Sequence, residues 1–298
     1  MFVLILMFVT SGPRAASDYA EAFLELGVGA RPLGMGSAYV AVAEGPEAVY
    51  WNPAGLVLGE GTTLGFMHSE RFAGLVRNDF VGASFSRRGW GAGTSLVRTG
   101  VEGIKFTALR DTTDTLSSEN RPYVLRRVGS GDYVLLLSSA LSSGGLALGG
   151  SFKILYRRLW KHTAWGAGLD LGVVYTWRRF RVGACLHDVH GTPVLWDSGS
   201  KDTIAPSLDV GISYRRDLLR GSFCLSTSFR RKFRAGLEYT HSKGLALRLG
   251  WDGAGLTAGV GVSFARFRAD YAFLANRSLG GTHRVSLQVN RIELRNSP

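Results

Sequence analysis

The segment 165–177, WGAGLDLGVVYTW, alternates between large apolar side chains and small or polar ones. One face carries Trp165, Leu169 and Trp177, and the other carries glycines together with Asp170. A period of two residues predicts a β-strand. Aromatic residues at both ends of an apolar face, opposite a small or polar face, are typical of a strand in a transmembrane barrel.

The same alternation returns along most of the chain after residue 60. Counting such segments predicts an all-β, antiparallel barrel of about fourteen strands, with twelve as the alternative. An even number suits a single-chain barrel whose two termini lie on one side of the membrane. The alternation does not say which face points outward, so a secreted β-sandwich or a solenoid remains the alternative. The predicted strands are 61–68, 77–86, 90–99, 131–142, 145–157, 164–177, 180–188, 205–215, 219–228, 233–241, 245–251, 255–264, 267–274 and 282–291.

The predicted connections differ in length between the two ends of the barrel. Short turns such as 87–89, 143–144 and 178–179 follow even-numbered strands, whereas the longer connections 100–130 and 189–204 follow odd-numbered ones. Short turns on one rim and long loops on the other are the pattern of bacterial outer-membrane barrels.

Composition and charge narrow the class of protein. The chain has 298 residues with 40 glycines, 8 prolines and a net charge of +12. The basic residues are scattered and form no nucleic-acid-binding motif, so anionic lipid headgroups or acidic surface polymers are the expected partners and nucleic acid is not. The apolar run 1–9, MFVLILMFV, predicts a signal peptide over 1–16 that is cleaved near Ala15 or Ala16. No later run is long enough for a transmembrane helix.

Pairing the predicted strands tests the barrel interpretation. If 242–244 is a three-residue loop with Gly244 left-handed, Glu238 lies opposite Arg248 and Arg234 lies opposite Asp252. A two-residue turn at 178–179 likewise sets Asp170 opposite His187. These side chains fall on the lumen face. The predicted lumen charge network is Asp170, His187, Arg234, Glu238, Arg248, Asp252, Arg268 and Asp270.

The same residues allow several alternatives to a stabilising charge network. Surplus arginines could bind a carboxylate or a sugar acid. His187, Asp188 and His190 suggest a metal. However, His187 and Asp188 are expected to point to opposite faces of a continuing strand, and no third ligand has suitable spacing, so no metal or other cofactor is predicted. No serine elbow is present, so no catalytic residue and no enzymatic activity are predicted. The two cysteines lie on strands separated by a third, which predicts free thiols.

Five segments together resemble the PorV/PorQ-like outer-membrane proteins, which are similar to the FadL long-chain fatty acid transporters. The first, 23–56, reads FLELGVGARPLGMGSAYVAVAEGPEAVYWNPAGL, and the other four are FRAGLEY, LALRLGW, FRADYAF and LGGTHRVSL. The resemblance implies a fourteen-stranded barrel in the bacterial outer membrane with an N-terminal hatch in its lumen. Together with the signal peptide predicted from the apolar run, and with a C-terminal continuation that departs from the family, this divides the chain into a signal peptide (1–16), a hatch or plug (17–58), a barrel (59–291) and a C-terminal extension (292–298).

The predicted hatch ends in VYWNPAG at 49–55. Asn52 can accept a backbone N–H, Pro53 fixes the next φ, and Gly55 is expected in the left-handed region, so the segment predicts a compact locking turn. Alternatively, Tyr50 and Trp51 line an apolar cavity. The hatch motif comprises Gly34, Gly36, Tyr50, Trp51, Asn52, Pro53 and Gly55.

The resemblance implies two functions. PorV/PorQ-like proteins include docking or shuttle components of type IX secretion, which would have secretion proteins or exported cargo as partners and would need apolar patches on long loops, here 101–128 and 194–196. FadL-like transporters instead pass hydrophobic small molecules sideways through the wall, which would require a gap, here expected at 89–93. An orphan structural barrel is a third alternative. All three would contact outer-membrane lipid and lipopolysaccharide.

Overall fold

A computed structural model describes residues 23–71, 74–275 and 280–291. The predicted signal peptide, residues 17–22 of the predicted hatch and the predicted C-terminal extension lie outside these ranges. The strands are β1 (Gly61–Arg71), β2 (Val76–Arg87), β3 (Trp90–Ala108), β4 (Tyr123–Ser143), β5 (Leu146–Leu159), β6 (His162–Trp177), β7 (Phe180–His187), β8 (Thr192–Trp196), β9 (Lys201–Ile204), β10 (Ser207–Leu218), β11 (Gly221–Phe229), β12 (Phe233–His241), β13 (Leu245–Trp251), β14 (Leu256–Phe264), β15 (Phe267–Leu274) and β16 (Thr282–Arg291).

The strands form one antiparallel sheet that closes on itself. β1 pairs with β16, and β5 pairs with both β4 and β6. β7 and β8 both pair with β6, while β10 pairs with β7 and β9 pairs with β8. β7 and β8 are therefore successive pieces of one wall strand, and β9 and β10 are pieces of the next. The wall has fourteen strands, so the predicted fourteen-stranded barrel is confirmed and the twelve-stranded alternative is wrong.

The apolar face of the wall points outward. In β6, Trp165 and Trp177 are 59% and 56% exposed, whereas Asp170 between them is 4% exposed. An apolar outer surface of this extent is stable only where an apolar medium covers it. A secreted sandwich, which would bury that face in its core, is therefore excluded.

The two ends of the barrel differ as the sequence predicts. We call the end that carries the connections 88–89, 144–145, 178–179, 219–220, 242–244 and 265–266 the short-turn end, and the opposite end the long-loop end. Parts of the two connections predicted as long loops, 100–130 and 189–204, are strands instead. β3 and β4 continue as a two-stranded arm beyond their neighbours, and β8 and β9 form a hairpin. The arm is rich in β-branched and aromatic residues, which favour extended pairing.

Residues 23–60, called here the internal segment, lie inside the barrel. The segment contains two short helices, α1 (Ala30–Gly34) and α2 (Ala48–Trp51), and three 3-10 turns at Leu24–Leu26, Gly45–Glu47 and Pro53–Leu58. Among the described residues, its apolar side chains pack with inward-facing residues of the wall in one large and two small buried clusters. No helix in the described ranges is long and apolar enough to span a membrane.

Candidate functional site

Asn52 joins the internal segment to the wall. Its side-chain oxygen accepts the N–H of Ala54 at 3.1 Å, which caps the turn Pro53–Leu58. Its amide nitrogen lies 2.9 Å from the carbonyl oxygen of Val40, 3.2 Å from that of Val173 and 3.4 Å from that of Ala184. Because Val173 and Ala184 are opposed residues of β6 and β7, one amide contacts both strands.

Wall glycines let the backbone of the internal segment approach the wall. A Cβ atom on Gly172 would lie 2.1 Å from the Asn52 side-chain oxygen, and one on Gly183 would lie 2.6 Å from the Val40 carbonyl oxygen. Either distance is too short for any residue larger than glycine. Similar approaches to the internal segment occur at Gly91, Gly149, Gly236 and Gly250. Much of the high glycine content therefore serves this interface.

The glycines of the predicted hatch motif also contact their surroundings closely. The hydroxyl of Thr257 donates to the Gly34 carbonyl at 3.1 Å and accepts the N–H of Gly36 at 3.0 Å. Gly36 has a φ of +62°, which favours glycine. Gly55 does not have a positive φ, so the expected left-handed conformation is wrong. Glycine is required there because a Cβ atom would lie 2.1 Å from the Ala43 carbonyl oxygen.

The two aromatic residues before Asn52 occupy different surroundings. The indole N–H of Trp51 donates to the Val28 carbonyl at 3.0 Å, and the side chain is buried. The hydroxyl of Tyr50 donates to the Leu24 carbonyl, and its ring packs edge-on against Trp51 at 5.4 Å between centroids. Trp51 therefore holds the fold of the internal segment together, whereas Tyr50 also borders the inner cavity described below.

A buried cluster of six charged residues links the internal segment to β12, β13 and β15. Arg31 donates to both oxygens of Glu238 at 2.7 and 2.9 Å and also contacts Glu44. Arg248 donates to Glu238 at 2.7 Å and lies 2.8 Å from Asp270. We call these residues, together with Arg268, which lies 2.9 Å from Asp270, the Arg31 cluster. Three positive charges face three negative ones, which offsets the cost of burying them.

Two glutamates of the internal segment respond differently to burial. Burial opposes the ionisation of Glu44, but the neighbouring charge of Arg31 outweighs it and lowers the pKa of Glu44. For Glu47, burial and the negative charge of Asp270 raise the pKa to about 7. The hydroxyl of Tyr39 connects the Arg31 cluster to Glu47, since it lies 3.2 Å from the guanidinium of Arg31 and donates to Glu47 at 3.2 Å.

The structure divides the predicted network into two groups and two separate residues, Arg234 and Asp252. Glu238, Arg248, Arg268 and Asp270 belong to the Arg31 cluster, and Asp170 and His187 lie 3.7 Å apart at the wall break described below. The expected pairing of Arg234 with Asp252 is wrong. The β12–β13 ladder ends one residue earlier, Arg234 lies 3.7 Å from Asp209, and Asp252 accepts the N–H groups of the following turn.

The wall is interrupted between β7 and β8, at residues 188–191, which we call the wall break. Asp188 has a φ of +54°, which turns its carboxylate inward beside that of Asp170. The ammonium of Lys153 lies 2.8 Å from both carboxylates. The hydroxyl of Thr192 donates to Asp188. These contacts hold the break in its closed geometry. The expectation that His187 and Asp188 point to opposite faces does not apply, because the strand ends at His187.

Cavities lie on both sides of the wall at this level. A dimple of about 460 Å³ on the outer face is lined by apolar residues that include Phe152, Leu169 and Val189. A small cavity of about 20 Å³ on the inner side is lined by Tyr50, Leu136 and Lys153, among others. Asp170 borders both cavities. Asp170 and its contact with Lys153 therefore lie between the two spaces.

The region expected to contain a gap is intact. Gly89 lies in the turn before β3, and residues 90–93 begin β3, where each of them pairs with both β2 and β4. A Cβ atom on Gly93 would lie 2.6 Å from the side chain of Val49, so this glycine admits the internal segment and does not weaken the wall. The two cysteines, Cys185 and Cys224, are free and buried, as predicted.

Comparison with solved structures gives the same fold. The chain resembles the toluene transporter TodX. The structure of TodX from Pseudomonas putida aligns over 90% of this chain and 99% of its own, with a TM-score of 0.61 and 13% identity. A TodX monoaromatic hydrocarbon channel with a deletion aligns over 89% of this chain and 99% of its own, with a TM-score of 0.57 and 12% identity. These neighbours are named as a transporter and a channel.

Neither protein-family models nor curated proteins give a match to this chain. At 12–13% identity, the similarity to TodX shows the barrel fold that the resemblance implies. The PorV/PorQ part receives no support from these comparisons.

Proposed function

We propose that the protein is an outer-membrane channel for hydrophobic small molecules, which leave the barrel sideways at the wall break. The observation that carries this proposal is the pair of cavities on either side of the wall at Asp170. The β6–β7 ladder extends only to Leu171, and the β6–β8 ladder begins at Gly166. Between them the N–H of Val189 donates to the Leu169 carbonyl at 2.9 Å.

A passage here would suit an apolar solute. The dimple faces the medium that covers the apolar outer surface, so a solute released into it stays out of water. The inner cavity is too small for such a solute in the closed geometry. Transport therefore requires the contacts between Lys153, Asp170 and Asp188 to separate, as a gate does.

Outer-membrane location is supported by the apolar outer face and by the difference between the two ends. The predicted signal peptide would deliver the chain to that membrane. The similarity to the toluene transporter TodX supports a hydrophobic ligand over a polar one. Export docking would not need a break in the wall.

A reversible staple across the wall break tests the proposal. In a background in which Cys185 and Cys224 are replaced by serine, Leu169→Cys would place one thiol on β6 and Val189→Cys would place the other in the wall break facing it. Their oxidation should lower the uptake of labelled toluene and of labelled oleate by intact cells at least about fivefold, and reduction should restore it.

The matched control is the pair Leu237→Cys and Leu249→Cys, which are opposed residues on the outer face of the intact β12–β13 hairpin. Oxidation of this pair should leave uptake unchanged. Equal uptake by stapled and reduced wall-break variants would contradict lateral release, and no uptake above that of cells lacking the protein would contradict the channel itself.

A docking role in protein export is the second candidate, and it rests on the PorV/PorQ resemblance. The arm formed by the ends of β3 and β4 would provide the surface, because Ile104, Phe106 and Leu125 are exposed on it. Shortening the arm to a turn between Val101 and Ser130 should abolish attachment of exported cargo at the cell surface and should leave toluene uptake intact. Unchanged attachment would exclude this role for the arm.

A further inference from the structure

Basic residues concentrate at the short-turn end of the barrel. Five of the six connections that define this end carry an arginine or lysine, and the exception is Gly144–Gly145. The acidic residues nearest to these connections are few. They are Glu44, Glu60 and Asp217.

The arginines line concave surfaces at this end. One cavity of about 610 Å³ lies between the internal segment and the wall and is lined by Arg87, Arg88 and Arg268, among others. A second cavity of about 130 Å³ is lined by Arg178, Arg179, Arg181 and Arg215. We call the two cavities together the basic mouth.

Six arginines of the basic mouth have no ion pair to a carboxylate within the described ranges. They are Arg87, Arg88, Arg178, Arg179, Arg181 and Arg215. At the long-loop end, by contrast, Arg77 and Arg98 pair with Glu102, and Arg157 pairs with Asp132. Other basic residues at the long-loop end, such as Lys105 and Arg110, also have no carboxylate partner among the described residues, but they lie on the exposed arm and its loop. The six arginines of the basic mouth are instead gathered in concave surfaces with unused donors.

We propose that the basic mouth docks an acidic segment of a soluble protein. Guanidinium groups form bidentate pairs with carboxylates, and a concave surface of one sign concentrates its field on an approaching partner. Lipid headgroups would contact arginines on the outer rim, whereas Arg181 and Arg215 line a cavity inside it. This interaction is independent of transport and would bring a partner to the end of the barrel opposite the long loops.

The test uses the purified full chain in zwitterionic detergent, with fluorescein-labelled poly-L-glutamate as the probe. Fluorescence anisotropy should show binding at low salt that weakens as salt is raised. The variant Arg87→Glu/Arg179→Glu changes one residue in each cavity, at positions without a positive φ. It should weaken binding at least about tenfold, and Arg87→Gln/Arg179→Gln should weaken it less.

The control variant Lys105→Glu/Arg110→Glu makes the same change of charge on the arm at the long-loop end. It should alter binding less than about twofold, since screening limits charge effects over that distance. Heat-modifiable migration on electrophoresis would confirm that each variant is folded. Equal effects of the two charge reversals would overturn the proposal. The proposal would also be overturned if the Arg87→Glu/Arg179→Glu variant bound poly-L-glutamate unchanged but was no longer stabilised by phosphatidylglycerol in nanodiscs. That result would show that the arginines bind lipid.

Discussion

Arg31 of the internal segment and Glu238 of β12 form a bidentate ion pair in which both side chains are 4% exposed. The pair connects α1 to the wall across 207 residues of sequence. Because Glu238 also accepts from Arg248, loss of Arg31 leaves part of its charge unpaired. The internal segment is therefore held in the barrel by charge as well as by apolar packing.

Arg31→Met should loosen the internal segment without unfolding the wall. Removing one partner of a buried ion pair costs about 3–5 kcal/mol, because the other charge stays buried. We expect faster hydrogen exchange at 30–44 and a larger ion conductance in planar bilayers. Arg158→Met, which changes an exposed arginine at the end of β5, should change neither. Unaltered exchange in Arg31→Met would mean that packing alone holds the segment.

Gly172→Ala should impair assembly, whereas Gly150→Ala should not. The new Cβ atom at 172 would lie 2.1 Å from the Asn52 side chain, but the one at 150 would meet no atom closer than 3.7 Å. Asn52 would then lose its contacts with the wall carbonyls, at a cost of about 1–3 kcal/mol. The yield of heat-modifiable barrel, together with hydrogen exchange at 48–58, would measure the difference. Similar results for both alanine variants would argue against a close approach at Gly172.

The sequence predicted the wall well and the interior poorly, for physical reasons. In strands, alternate residues face lipid and lumen, so a segment such as 165–177 carries its own structural information. The Glu238–Arg248 pair followed from the local geometry of one hairpin. No local sequence pattern relates Arg31 to Glu238. Arg31 itself, a charged residue within a run of small residues, was a signal that could have been followed. The wall break depends on a left-handed Asp188, which alternation does not indicate.

Stability of the internal segment should fall as pH rises from about 4.5 to about 7, in part because of Glu47. Its pKa is about 7 when folded and 4.5 in the reference state, so the folded state binds the extra proton in this window. The destabilisation is absent below the lower value and complete above the upper one, and is at most about 3 kcal/mol.

Glu47→Gln should remove this pH dependence. Hydrogen exchange at 38–51, corrected for the intrinsic rate at each pH, should be nearly level between these pH values in the variant and should rise with pH in the parent protein. Glu60→Gln, at an exposed position, is the matched control and should behave as the parent does. A parent protein with level exchange would show that Glu47 is not responsible for any pH effect on the segment.

Lys153→Met should open the wall break. The change leaves the carboxylates of Asp170 and Asp188 facing each other without the cation that now lies 2.8 Å from both. Their repulsion, with a loss of about 3–5 kcal/mol at the break, should raise toluene uptake and lower the temperature of heat modification. Lys153→Met/Asp188→Asn removes the like-charge pair and should return both measurements toward the parent values. If the double variant behaved as the single one does, lost packing of the lysine stem, not charge, would explain the opening.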